Sequence, residues 1–103
     1  MTQKTVSNKE LERLCTAFLE LKDVNECWEF LRDLLTTPEL RTISRRWEII
    51  KKLNEGKTQR EISGKLDCGI STVSRANAVL RDGTGALKLI LDRLELKDHP
   101  PNP

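Results

Sequence analysis

Apolar residues recur at intervals of three and four along most of this chain, and this spacing limits what it can fold into more than any other feature. Side chains three and four residues apart share one face of an α-helix, whereas a half-buried strand needs apolar and polar residues to alternate. No useful length of the sequence alternates in that way, and tyrosine is absent. The pattern therefore predicts an all-α fold.

Helix start signals divide the sequence into six helices. Residues 7–10 (Ser-Asn-Lys-Glu) and 58–61 (Thr-Gln-Arg-Glu) have the pattern of a capping box, in which a hydroxyl and a carboxylate three residues later bind backbone N–H groups. Asp23 is predicted to cap the second helix. Thr37 is predicted to cap the third, with Pro38 in its first turn.

The third helix is predicted to be the longest, and Gly56 to end it. Its inward stripe is expected to consist of Leu40, Ile43, Trp47, Ile50 and Leu53. Trp28, on the stripe of the second helix, is expected to pack in the core as well. Three cysteines cannot all pair, and we expect buried free thiols at Cys15, Cys27 and Cys68.

The length and the ends of the chain bound its organisation. We expect one domain over residues 1–97, because 103 residues hold no more than one. Residues 98–103 are expected to form a flexible tail, since three prolines there cannot continue a helix. Residues 1–9 are polar and no run of about 18 apolar residues occurs, so we expect a cytoplasmic protein without a membrane segment.

The net charge of +2 hides an uneven distribution. Residues 1–40 carry a net charge of −3, residues 41–81 a net +6, and residues 82–103 a net −1. A basic region between mildly acidic ends indicates a local surface for a polyanion. The alternative is a solvated helical face with ordinary ion pairs.

Residues 58–81 follow the pattern of a helix-turn-helix, in which two short helices cross steeply across a turn of three or four residues. The crossing needs small or apolar side chains, which are supplied by Ile62, Leu66, Cys68, Val73 and Ala76. Asp67 occupies the turn position where glycine is usual, and aspartate tolerates the left-handed backbone better than most residues. Ser71 is expected to cap the second of the two helices.

The second helix of this pair would present a polar face without carboxylates. Its outward residues are Ser71, Thr72, Ser74 and Arg75. No acid lies between Gly69 and Arg81, so nothing there repels phosphates in a major groove about 12 Å wide. Basic residues that would flank the groove are Arg41, Arg45, Lys51, Lys52, Lys57, Arg60 and Lys65. The combination favours DNA binding over the alternative of an ordinary helical hairpin with a polar face.

Four stretches of this sequence carry a family resemblance: residues 34–38, 46–50, 59–61 and 69–75. They resemble the bacterial Trp repressor family, and the similarity spans roughly residues 10–96 with the same order of six helices. Residues 21–24 and 81–85 are more similar to the Trp-repressor-related branch of that family. The resemblance implies a homodimer with interlocked helices whose two helix-turn-helix units read a palindromic operator in double-stranded DNA.

The resemblance also implies which residues approach the DNA and the ligand. Those expected near DNA are Gln59, Arg60, Ser63, Lys65, Gly69, Ile70, Ser71, Thr72 and Ser74, with Arg60 the choice for a direct guanine contact. Those expected around the corepressor L-tryptophan are Thr36, Arg46, Thr72, Arg75 and Ala76. Arg46 and Arg75 would stack on the two faces of the indole ring, and Thr36 would lie near the carboxylate.

Two departures from the family pattern keep a second interpretation open. Ala76 stands where the repressor has glycine, and Ala78 and Val79 replace polar residues. These changes would fit a DNA-binding protein that works without a ligand. A third interpretation, from another class, is a helical protein-interaction module whose basic face docks an acidic partner. We expect neither an enzyme nor a metal site, because no catalytic constellation and no metal-ligand spacing occurs in the sequence.

Overall fold

The computed structural model describes residues 7–98, and within that range it contains six helices and no strand. The helices are α1 (Asn8–Phe18), α2 (Val24–Leu34), α3 (Thr37–Asn54), α4 (Gln59–Leu66), α5 (Ile70–Asp82) and α6 (Ala86–Asp98). The predicted all-α class and the number of helices are confirmed. No helix between residues 7 and 98 is long and apolar enough to cross a membrane.

Within residues 7–98, internal contacts divide the chain into two units, one up to Leu40 and one from Arg41, and α3 contains residues of both. The single domain over residues 1–97 stays a prediction. Asp98, the first residue of the predicted tail, is the last residue of α6. The rest of that tail, residues 99–103, lies outside the described residues.

In the first unit, local hydrogen bonds start α1 and α2 where the sequence predicts. The Ser7 hydroxyl accepts from the N–H three residues later at 3.0 Å. Asp23 Oδ1 accepts from the Glu26 N–H at 2.8 Å. The rings of Phe18 and Phe30 meet edge to face with 5.3 Å between their centroids, and this contact packs α1 against α2.

The third helix begins one residue earlier than predicted, so the assignment of Thr37 as its cap is wrong. Thr36 caps α3: its Oγ1 accepts from the Glu39 N–H at 3.2 Å, and its own N–H donates to Glu39 Oε1 at 2.8 Å. The donation from the Thr36 N–H lowers the pKa of the Glu39 carboxyl, because it favours the charged form. Glu39 lies three residues after Thr36, which is the spacing a reciprocal cap requires.

Side chains from four helices meet in the apolar core of the second unit. The buried residues are Ile49 and Ile50 from α3, Ile62 from α4, Val73 and Ala76 from α5, and Leu91 from α6. Trp47 and Leu53, both predicted to face inward, are partly buried against this core. Gly56 ends α3, as predicted. Its φ of 91° allows the Lys57 N–H to donate to the Lys52 carbonyl in the last turn of the helix.

Several residues predicted to be buried are exposed in the single chain. Trp28 retains 60% of its accessible surface and Ile43 retains 48%, and neither α1 nor α2 contains a buried residue. Cys15 is exposed, while Cys27 and Cys68 are half-buried, and all three are free thiols as predicted. The apolar stripes of α1 and α2 have the predicted helical spacing, but no other part of residues 7–98 buries them.

Replacing Ile62 with alanine tests the core of the second unit. Its side chain is 1% exposed, so Ile62→Ala leaves a cavity and should lower the free energy of unfolding by about 2–4 kcal/mol. Urea unfolding followed by circular dichroism measures the change. Ile70, which is 50% exposed, provides the matched control, and Ile70→Ala should cost less than about 1 kcal/mol. Equal losses in the two variants would contradict this packing.

Candidate nucleic-acid interface and adjoining cavity

A three-residue turn joins α4 to α5 and reverses the chain tightly. Its first residue, Asp67, adopts the left-handed conformation with φ 52° and ψ 54°, as the sequence predicts. The N–H groups of Asp67 and Cys68 both donate to the Ser63 carbonyl, and the Ser63 hydroxyl donates to the Cys68 carbonyl at 2.5 Å. The two helices thus form the predicted helix-turn-helix, with hydrogen bonds inside the turn itself.

The predicted capping box at the start of α4 is present. The Glu61 N–H donates to Thr58 Oγ1 at 3.1 Å, and the Thr58 N–H donates to Glu61 Oε1 at 2.8 Å. The Thr58 backbone N–H is the largest cause that lowers the pKa of the Glu61 carboxyl below its usual 4.5. Charge on Glu61 therefore stabilises the first turn of the helix-turn-helix.

The start of α5 differs from the prediction, and Ser71 is not its cap. Gly69 is the residue before the helix, with extended backbone (φ −67°, ψ 147°) and no side-chain bond to the helix. Because α5 already begins at Ile70, Ser71 lies inside the first turn. Its hydroxyl is therefore not used as the cap, and the residue is exposed.

Most of the residues predicted to contact DNA lie on the surface. The exposed ones are Arg60, Lys65, Gly69, Ile70, Ser71, Thr72 and Ser74, whereas Gln59 and Ser63 are half-buried. The Ser74 hydroxyl donates to Gln59 Oε1 at 2.6 Å and so links α5 to the start of α4. Because this bond engages the amide oxygen, Gln59 offers its N–H groups to an acceptor such as a phosphate or a base edge.

The charges around α4 and α5 suit an anionic partner. Asp82, the last residue of α5, forms an ion pair with Arg81 at 2.9 Å, and the hydrogen bonds from Arg81 lower the pKa of the Asp82 carboxyl. Beside α4, a hollow of about 110 Å³ is lined by Lys52, Lys57, Glu61, Ile62 and Lys65. Three ammonium groups and one carboxylate leave this hollow with a positive charge.

A cavity of about 680 Å³ lies in the second unit, between α3, α5 and the start of α6. Its lining residues are Thr42, Arg45, Arg46, Ile49, Ile50, Thr72, Arg75, Ala76, Val79, Thr84, Ala86 and Leu87. Four of the five residues predicted to bind the ligand are brought together here: Arg46, Thr72, Arg75 and Ala76. The lining combines apolar side chains with three guanidinium groups and contains no carboxylate, which suits an apolar molecule with an anionic group.

The fifth predicted ligand residue, Thr36, lies at the N-cap of α3, where its hydroxyl oxygen accepts from Glu39. Three further polar residues, which the sequence does not predict there, line the cavity: Thr42, Arg45 and Thr84. For the first two a signal exists: Thr42 lies four residues before Arg46 and three before Arg45, and these spacings put side chains on one side of α3. Thr84 follows α5, and its approach to the cavity depends on long-range packing.

Comparison with known proteins matches this architecture. The profile of the family described as Trp repressor protein matches residues 9–95. The uncharacterized protein YerC of Bacillus subtilis (strain 168) is 36% identical over 87 residues, which cover 84% of each chain. A solved TrpR-like protein from Eubacterium eligens ATCC 27750 shares 33% identity with a TM-score of 0.80, over 85% of this chain and 91% of its own. A solved candidate Trp repressor from Staphylococcus aureus shares 31% identity with a TM-score of 0.80, over 86% and 89%.

The fold is therefore that of a helix-turn-helix regulator, and the relatives extend over most of its length. This chain belongs to the Trp repressor protein family, whose members are DNA-binding regulators and not enzymes. The family resemblance predicted from the sequence is confirmed.

The capping box of α4 makes the helix-turn-helix sensitive to acid. Folding lowers the pKa of Glu61, so the unfolded chain binds its proton more readily, and the stabilisation present above pH 4.5 is lost as the pH falls through the lowered value. Glu61→Gln keeps an acceptor for the Thr58 N–H but does not titrate. We expect thermal unfolding between pH 3 and 6 to depend less steeply on pH in this variant, and an unchanged slope would contradict the assignment.

Proposed function

We propose that this protein is a homodimeric transcriptional repressor that binds a palindromic operator in double-stranded DNA, with L-tryptophan as corepressor. One observation carries the proposal: α5 contributes both to the cavity and to an exposed polar surface. Arg75 and Ala76 line the cavity, whereas Ser71 and Ser74 lie exposed on the same helix. A molecule in the cavity would therefore touch the helix that reads the DNA.

The surface of the helix-turn-helix supports the DNA-binding half of the proposal. Arg60, exposed in the first turn of α4, would donate two hydrogen bonds to a guanine edge. The hydroxyl groups of α5 would follow the groove, and the lysines around the hollow beside α4 would meet phosphates. This role would place the protein in the cytoplasm.

The exposed apolar surface supports the homodimer. Nine large apolar side chains on or next to α1, α2 and α6 are 40% or more exposed: Leu11, Leu19, Val24, Trp28, Leu34, Leu89, Ile90, Leu94 and Leu96. A monomer rarely leaves so much apolar surface in contact with water. A second copy of the chain would bury these faces and complete a shared core, with one helix-turn-helix on each side.

Two alternatives remain, each with its own observation. The methyl group of Ala76 and the side chain of Val79 occupy part of the cavity wall, which favours a regulator that needs no ligand. The positive hollow beside α4 would equally suit an acidic protein, which favours a protein-interaction module.

Arg60→Ala tests DNA recognition. Loss of a bidentate base contact should weaken binding to the cognate duplex by between about 5- and 100-fold, with a smaller effect on a scrambled duplex. Fluorescence anisotropy with labelled DNA from upstream of the protein's own gene measures this. Lys22→Ala removes the same charge from the loop after α1 and should leave affinity unchanged. If neither Arg60→Ala nor Lys65→Ala weakens binding, the DNA-binding proposal fails and the acidic partner is favoured.

Ala76→Gly tests the corepressor. Removing a methyl group from the cavity wall should raise the affinity for L-tryptophan by about fivefold or more, as measured by isothermal titration calorimetry. Ala78→Gly is the matched control, because it carries the same cost of glycine inside α5, about 1 kcal/mol, at a residue that does not line the cavity. If the folded wild type and both folded variants release no heat at millimolar L-tryptophan, the corepressor proposal fails and the ligand-independent regulator is favoured.

A further inference from the structure

Arg45 reaches from α3 to the end of α4. Its Nη1 donates to the carbonyl oxygen of Leu66, the last residue of α4. The last four carbonyl groups of a helix have no N–H partner within that helix, so this bond satisfies a group that would otherwise need water. The contact joins residues 21 apart in the sequence, directly before the left-handed Asp67 begins the turn to α5.

The same side chain also lines the cavity, together with Arg46 and Arg75. A guanidinium has five N–H donors in a planar fork, so one bond to a carbonyl leaves others for an anion. Arg45 therefore contacts both the space where a ligand would bind and the turn that sets the direction of α5.

We propose that Arg45 is a positioning residue of the DNA-binding site, which holds the α4–α5 turn through the Leu66 carbonyl and directs its remaining donors to the cavity instead of a DNA phosphate. The inference rests on the proposed DNA-binding function, and it separates Arg45 from the basic residues expected to flank the groove. A carboxylate bound in the cavity would share this guanidinium. A continuous hydrogen-bonded path would then connect the ligand to the turn.

Hydrogen exchange tests the first part of the inference without DNA or ligand. In Arg45→Met the amides of Asp67 and Cys68 should exchange about fivefold faster than in the wild type, because methionine has no donor and the turn loses an external hydrogen bond. The amides of Ile62 and Val73, in the core, should change less than those of the turn. A uniform rise at all four amides would mean general destabilisation and would overturn the inference.

Two further variants sharpen this measurement. Arg45→Lys keeps one donor for the Leu66 carbonyl and should restore part of the protection of the turn. Arg41→Met makes the same replacement one turn earlier in α3 and should leave the exchange of the turn unchanged. If the turn of Arg45→Met exchanges as slowly as that of the wild type, Arg45 does not hold the turn and the inference is wrong.

DNA binding at several salt concentrations tests the second part. Arg45→Met should weaken binding to the upstream duplex at least threefold while the slope of log affinity against log salt stays the same. Removal of a residue that contacts phosphate lowers the magnitude of that slope by about 0.9 per contact, so a smaller slope in the variant would overturn the positioning role. If the wild-type protein itself binds no duplex, the proposed function fails, whereas the exchange measurement still decides whether Arg45 holds the turn.

Discussion

The contact between Ile49, Ile62 and Val73 is the interaction on which the rest of the second unit depends. These three side chains come from α3, α4 and α5 and are the most completely buried in the described chain. All are β-branched and have few rotamers, so their packing allows little freedom in the angle between the helices. The exposed face of α5 and the cavity behind it both follow from that angle.

Local signals made most of the helix boundaries predictable from the sequence. The capping box at Thr58 and the left-handed turn at Asp67 depend on neighbours within four residues, and both were predicted at the correct positions. The errors are local as well: two adjacent threonines compete for the cap of α3, and Glu39 selects Thr36. At α5, Gly69 is the N-cap and the helix begins at Ile70, one residue before the predicted cap, Ser71.

Burial was less predictable, because it depends on what covers a helix and not on the helix itself. The spacing predicts an α3 stripe through Ile43 and Trp47. Trp47 is partly buried, but Ile43 is 48% exposed, and the completely buried residue is Ile49, which lies outside the predicted stripe. For the site, residue types and family resemblance predict Arg46 and Arg75 as ligand-binding residues, and both line the cavity. The bond from Arg45 to the Leu66 carbonyl could not be predicted in this way. It joins residues 21 apart, and no local sequence pattern indicates that α3 passes the end of α4.

The arrangement of the cavity decides what kind of regulation this fold permits. A ligand changes DNA affinity only as far as it binds better to one position of α5 than to another. Here α3 contributes Arg46 to one wall and α5 contributes Arg75 to the other, so a molecule that contacts both guanidinium groups would resist movement between the helices. A molecule held by one wall alone would occupy the same cavity without effect. Ala76 and Val79 line the cavity on the α5 side. The strength of any regulation therefore depends on whether a ligand can contact both Arg46 and Arg75 beside these two side chains.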